Sequence, residues 1–190
     1  MTLRFLAIGV AIVGATLVGA ASGQDAVISV REDGGVYAVE ARFKVPEPAS
    51  VARDVLTDYA GIPRFMPDVR TSQVVERQNG SVRVEQETVS KFMLFSKRVH
   101  LVLDVSEGDE VIRFRDRCAT SFVRYEGAWT IRSQGAYTEI TYELTAQPAF
   151  AVPDFVLRKL LNRNARVMID RLRAEISSRA ISSSSSLAPR

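Results

Sequence analysis

The sequence predicts an α+β domain in which a curved antiparallel sheet wraps around one long C-terminal helix, with two short helices after the first strand. Three observations carry this. Residues 69–144 alternate apolar and charged side chains in about six runs joined by short turns, the pattern of a meander with one dry and one wet face. Pro153 then opens a segment in which Leu157, Leu161, Ala165, Met168, Leu172 and Ile176 recur at three or four residues, one stripe of a helix. Between the opening strand and the meander, Leu56–Pro67 holds Phe65 and Met66 between two prolines, on a segment too short to have a core of its own.

Each element can be justified in order. A short strand at Val27–Val30 leads through Asp33-Gly34-Gly35 into a second, where Tyr37, Val39, Ala41, Phe43 and Val45 face one way and Glu40, Arg42 and Lys44 the other. Pro46 and Pro48 end it, and Ser50 suits the N-cap of a helix through Val51, Ala52, Val55 and Leu56. Gln78-Asn79-Gly80-Ser81 reads as a hairpin turn between Val69–Arg77 and Val82–Phe92. Val99, Leu101, Leu103 and Val105 form the next inward face, followed by Ile112 and Phe114. Val123, Tyr125, Gly127, Trp129 and Ile131 share a face, as do Thr138, Ile140, Tyr142 and Leu144. Arg158, Lys159, Arg163, Arg166, Arg171 and Arg173 lie off the apolar stripe of the last helix.

The ends bound the domain. Arg4, the uncharged run Phe5–Val18 and the small residues Gly19–Gly23 form an export-signal pattern, with cleavage expected after Ala21 or Gly23. The run is shorter than the ~20 apolar residues of a spanning helix. The expected organisation is a signal peptide at 1–23, one domain at 24–181 and a disordered Ser-rich tail at 182–190. An exported protein, periplasmic or secreted, is implied.

Composition excludes several function classes. A net charge of +3 without a lysine-rich segment argues against nucleic acid. The single cysteine, Cys118, excludes an intramolecular disulfide and reads as a small buried side chain. The one histidine, His100, alternates away from Val99 and Leu101 toward solvent, against a Ser-His-Asp triad or a histidine-based metal site. No metal, cofactor or catalytic constellation is expected. Asp116 shares parity with Ile112 and Phe114, as an inward carboxylate suited to acid–base work or as a strand-end group reaching water.

A straight helix laid across a curved sheet is a helix-grip arrangement, and a cavity between the two is its natural consequence. Asp58-Tyr59, Phe65, Pro67 and Ser72, then Gly127-Ala128-Trp129, then Thr138 with Tyr142, and Pro148 with Pro153 before the last helix, follow a familiar order. Over about residues 27–178 the chain resembles the START-like (SRPBCC) superfamily. Within it, the chain is most similar to the polyketide cyclase/dehydrase and lipid-transport group, which includes coenzyme-Q-binding START proteins. The resemblance implies a helix-grip fold and a hydrophobic ligand. Many coenzyme-Q-binding relatives act inside cells, whereas this chain carries an export pattern.

The candidate cavity lining is Phe65, Met66, Phe92, Phe95, Phe114, Tyr125, Trp129, Tyr142, Leu161 and Met168. Phe65 and Met66 suit a rim. Trp129, Tyr125 and Tyr142 suit a polar headgroup contact by indole N–H and phenol O–H, or a solid core. Phe92-Met93-Leu94-Phe95 suits a gate, a membrane contact or a buried hairpin. The expected function is binding of a hydrophobic small molecule or lipid, with transient membrane contact. The alternative is a polyketide cyclase/dehydratase using the same cavity; the sequence leaves the oligomeric state open.

Overall fold

The computed structural model describes residues 26–92 and 95–186, with the side chains of 90–97, 185 and 186 outside the description. The export pattern at 1–23 and Met93-Leu94 therefore lie outside the described residues. Among the described residues eight strands form one antiparallel sheet: β1 (Val27–Asp33), β2 (Val36–Val45), β3 (Val69–Gln78), β4 (Ser81–Phe92), β5 (Phe95–Glu107), β6 (Val111–Asp116), β7 (Phe122–Ser133) and β8 (Thr138–Pro148). Their order is β1-β2-β8-β7-β6-β5-β4-β3, so every neighbouring pair is also adjacent in sequence except β2 and β8. Between β2 and β3 the chain makes α1 (Ala49–Thr57), a 3₁₀ turn (Tyr59–Gly61) and α2 (Ile62–Phe65). One long helix, α3 (Asp154–Ser186), follows β8.

Alternation in the sequence becomes burial in the sheet. Tyr37, Val39, Ala41, Phe43 and Val45 of β2 are all buried, as are Val99, Leu101, Leu103 and Val105 of β5 and Ile140, Tyr142 and Leu144 of β8. The Asn79-Gly80 turn has φ of 46° and 79°, the left-handed pair a tight hairpin requires, and glycine meets that demand without a Cβ clash.

The parity of β7 departs from expectation. A register shift between Phe122 and Arg124 inserts a bulge, which leaves Val123 63% exposed and turns Phe122 toward the core. At α1, Pro48 rather than Ser50 occupies the N-cap, and no side-chain cap bond forms. The expected tail at 182–190 begins as helix, since α3 runs on to Ser186. The hydroxyls of Ser182, Ser183 and Ser184 donate to the carbonyls of Ser178, Arg179 and Ala180, which keeps serine compatible with a last exposed turn.

α3 makes its close backbone approaches to β1, β2, α1 and α2. Its buried stripe is Leu157, Ala165, Ile169, Leu172 and Ile176, with Leu161 and Met168 half-buried beside it. Ile169 was outside the expected stripe; the helix buries a broader face than one row. Leu172→Ala is expected to cost ~2–5 kcal/mol, because the side chain is buried among Ile169, Ile176 and Ala165 and its loss leaves a cavity. Arg163→Ala, on the exposed face, should cost under about 0.5 kcal/mol. Equal urea midpoints for the two variants would show the stripe to be wrong.

Polar ties fix both ends of α3. Near its start, the Tyr37 hydroxyl donates to Asp154 Oδ1 at 3.0 Å, and Arg158 bridges Asp154 and Glu32 at 2.9 and 3.2 Å. Near its end, Arg179 meets Asp58 Oδ2 at 2.7 Å, and Asp58 also receives Arg64 at 2.7 Å and the Gly61 amide at 3.1 Å. Burial pulls the Asp58 carboxyl upward, but the hydrogen bond and charge of Arg179, with Arg64 and Gly61, hold it below the ordinary carboxylate value. A lowered folded pKa stabilises above the unfolded value of about 3.9, and that stabilisation is lost as pH falls through the folded value. Asp58→Asn should therefore unfold at lower urea near neutral pH, by about 1 kcal/mol at surface-pair strength. The gap to the unsubstituted protein should close below about pH 4; a gap that persists in acid would refute the ion-pair account.

Candidate functional site in the concave face

Strand register assembles an aromatic row on the inner face. β6, β7 and β8 are neighbours, with Trp129 opposite both Tyr142 and Ile112, and Phe114 opposite Gly127. Trp129 and Tyr142 have ring centroids 4.4 Å apart, and Tyr142 and Phe114 are stacked at 6.3 Å. Phe114 and Tyr125 follow at 6.0 Å, and Tyr125 and Phe122 at 4.9 Å. Five rings thus run continuously across three strands. Phe114 can lie there because Gly127 has no side chain.

The row combines depth with accessible surface. Tyr142 is buried, at 7% exposure, whereas Phe114, Phe122, Tyr125 and Trp129 pack against the core yet stay half-exposed. Tyr125 packs against the core and still keeps accessible surface. Accessible surface on rings packed against the core is what a ligand on this face would contact. From the helical side Leu161, Met168, Phe65 and Met66 are likewise half-buried against the same core.

The polar groups of the row are neutral. Burial raises the phenol of Tyr125, and raises that of Tyr142 well above its ordinary value, and the two neighbouring hydroxyls influence each other. Both therefore remain O–H groups able to donate or accept.

Asp116 does not act as a free inward acid. Its carboxylate accepts from the amides of Val102 at 2.9 Å, Cys118 at 3.3 Å and Ala119 at 3.2 Å, and from the Cys118 thiol at 3.2 Å. It is a clamp for the β6–β7 turn, where Ala119 has φ 49°. Cys118 is spent on the same clamp. His100 stands on the outer side with Nε2 3.6 Å from Glu85 Oε1, as parity required. Among the described residues no group of His, Cys, Asp and Glu is arranged to hold a metal ion, and no helix is long and apolar enough to cross a membrane.

The expected lining residues thus fall in three groups. Phe65, Met66, Phe114, Tyr125, Trp129, Leu161 and Met168 form the half-buried shell, and Tyr142 sits in the core beneath it. The side chains of Phe92 and Phe95 lie outside the description, although their backbones pair at the tip of β4 and β5. Phe122 completes the row and was missed. A groove of about 670 Å³ also crosses the outer face, lined by Arg31, Glu40, Arg113, Glu126 and Glu143 among others. Its charged walls of both signs make it the wrong chemistry for an oily ligand.

Solved structures share this architecture. A START superfamily protein from Mycobacterium smegmatis superposes with a TM-score of 0.66 at 16% identity, covering 74% of this chain and 97% of that one. The ZhuI aromatase/cyclase from Streptomyces sp. R1128 gives 0.66 at 18% identity, with 76% and 96% covered. A STAR-related lipid transfer protein from Xanthomonas axonopodis gives 0.60 at 15%, with 79% and 98% covered. At these identities the likeness establishes the fold. Comparison with curated protein sequences finds no match. The family model described as polyketide cyclase/dehydrase and lipid transport matches residues 45–173, which hold the 3₁₀ turn, the meander, the aromatic row and the buried stripe of α3 as far as Leu172. With its START-like helix-grip fold, the chain belongs to that polyketide cyclase/dehydrase and lipid transport family.

Proposed function

We propose that this is an exported binding protein that holds a hydrophobic small molecule or lipid between the inner face of the sheet and α3. The observation that carries the reading is the aromatic row Trp129–Tyr142–Phe114–Tyr125–Phe122, deep in the fold and yet with accessible surface. Rings supply broad apolar contact at small cost in conformational freedom, and the indole N–H and two phenols orient one polar group of the ligand. Export rests on the signal pattern at 1–23. The mature protein recovered from its host is expected to begin after Ala21 or Gly23, in the periplasm or medium.

A cyclase or dehydratase in the same space would need groups that exchange protons near neutral pH. The row offers two phenols that burial keeps protonated, and the carboxylate at its end is saturated by amides. That supports binding over catalysis. Native mass spectrometry of protein purified from its own host, followed by lipid extraction, tests the reading. A co-purifying neutral lipid or quinone-sized molecule is the expected result. Ligand-free protein that also fails to take up such molecules would overturn it.

A further inference from the structure

We propose that the outer face of the first half of α3 docks on an anionic phospholipid surface. Phe155, Lys159, Arg163 and Arg166 follow at i, i+4, i+8 and i+11, which at ~100° per residue gathers them within one ~80° sector of the helix. All four are exposed, and Phe155, at 74%, is a large aromatic ring left in water on the first turn. Arg158 and Arg179 of α3 have carboxylate partners; among the described residues no ion pair joins Lys159, Arg163 or Arg166. Asp170, one turn on, closes the stripe.

An apolar side chain beside several unpaired cations is the pattern of a helix lying at a bilayer interface, with the ring among the acyl chains and the cations at the phosphates. A protein partner fits less well, since lysine is depleted in such interfaces and a single ring is a small apolar patch. Position strengthens the case. The Tyr37–Asp154 bond and the Ala149 amide, which donates to the Ser121 carbonyl at 3.1 Å, hold the start of α3 at the sheet end where Phe122 begins the aromatic row. Exposed Val123 lies at that same end. Docking there brings the row's open end to the membrane; in that purpose, though not in its evidence, the inference rests on the binding reading above.

The test uses the full chain carrying Phe155→Trp, with unsubstituted protein as reference for Trp129. It is mixed with phosphatidylcholine vesicles bearing brominated acyl chains, with and without phosphatidylglycerol. The emission of the added indole should shift to the blue and lose most of its intensity on phosphatidylglycerol-containing vesicles alone. Adding Lys159→Gln, Arg163→Gln and Arg166→Gln should abolish that quenching, as should high salt. A tether through residues 5–18 alone would not make quenching at position 155 depend on three distant cations. An unquenched indole, equal quenching by both vesicles, or quenching that survives the triple substitution overturns the proposal. So does an indole that responds to duplex DNA but not to vesicles. A ligand found by mass spectrometry without quenching leaves the binding reading standing and removes this surface; quenching without a ligand does the reverse.

Discussion

Gly127→Ala is expected to lower stability by about 3 kcal/mol, the upper part of the range for forcing extra atoms into a packed interior. A Cβ at this position would stand 2.1 Å from the carbonyl oxygen of Glu143 and 2.7 Å from Cζ of Phe114. The first neighbour is backbone of the paired strand β8, hydrogen-bonded in register on both sides, so it cannot swing away as a side chain would. The second is the middle ring of the aromatic row, and moving it disturbs its contacts with Tyr125 and Tyr142. The substitution should therefore change near-ultraviolet circular dichroism of the native state as well as the urea midpoint. Ala128→Gly, one residue along and facing the outer side, is the control. It removes a methyl group from the wet face and should cost about 1 kcal/mol through backbone entropy. A midpoint for Gly127→Ala no lower than that control would mean that β7 and β8 can part without penalty.

Much of this fold was legible in the sequence, and where it was not the reasons are local. Period-two alternation survives in β2, β5 and β8 because one face of each is buried and the other wet, so inward residues from Tyr37 to Leu144 could be named by counting. Counting fails where the period breaks. The bulge at Phe122–Arg124 follows Cys118-Ala119-Thr120-Ser121, a turn without glycine or proline, so nothing in the residues marked the extra position. Val123 was assigned inward and Phe122 overlooked for that one reason. Asp116 was placed on the correct face, but its role depends on amides from β5 and from the turn, partners that only the tertiary structure brings within reach. On α3, spacing identified the apolar stripe and missed Ile169, because neighbours on both sides, not one, cover the helix. The serine run after Ile181 was read from composition as tail. Its hydroxyls bond back to the helix and the last turns persist.

Trp129 separates a ligand site from a filled core most sharply. It is the chain's only tryptophan, its ring lies tilted against Tyr142 with centroids 4.4 Å apart, and it stays half-buried beside buried neighbours. Trp129→Ala is expected to cost ~3–5 kcal/mol, since the ring packs across β6–β8 even though part of it stays accessible. That loss alone does not distinguish a cavity wall from core. Trp129→Phe keeps most of the ring and removes the indole N–H, so its cost should be about 1–2 kcal/mol and the domain stays folded. Binding should respond differently. A lipid-sized molecule removes apolar surface from water at ~25 cal/mol per Å², enough for micromolar affinity after ordering costs. Protein stripped of endogenous ligand and titrated with quinones, fatty acids or phospholipids should show a saturable change in Trp129 emission. Trp129→Phe should bind the same ligands at least tenfold more weakly where the indole N–H meets their polar group, a difference of about 1.4 kcal/mol. Binding to that folded variant is read by calorimetry, because the fluorophore is gone. Emission that stays flat through saturation by every ligand class, with equal calorimetric affinity for Trp129→Phe, would place the row in a solid core and leave the inner face without a ligand.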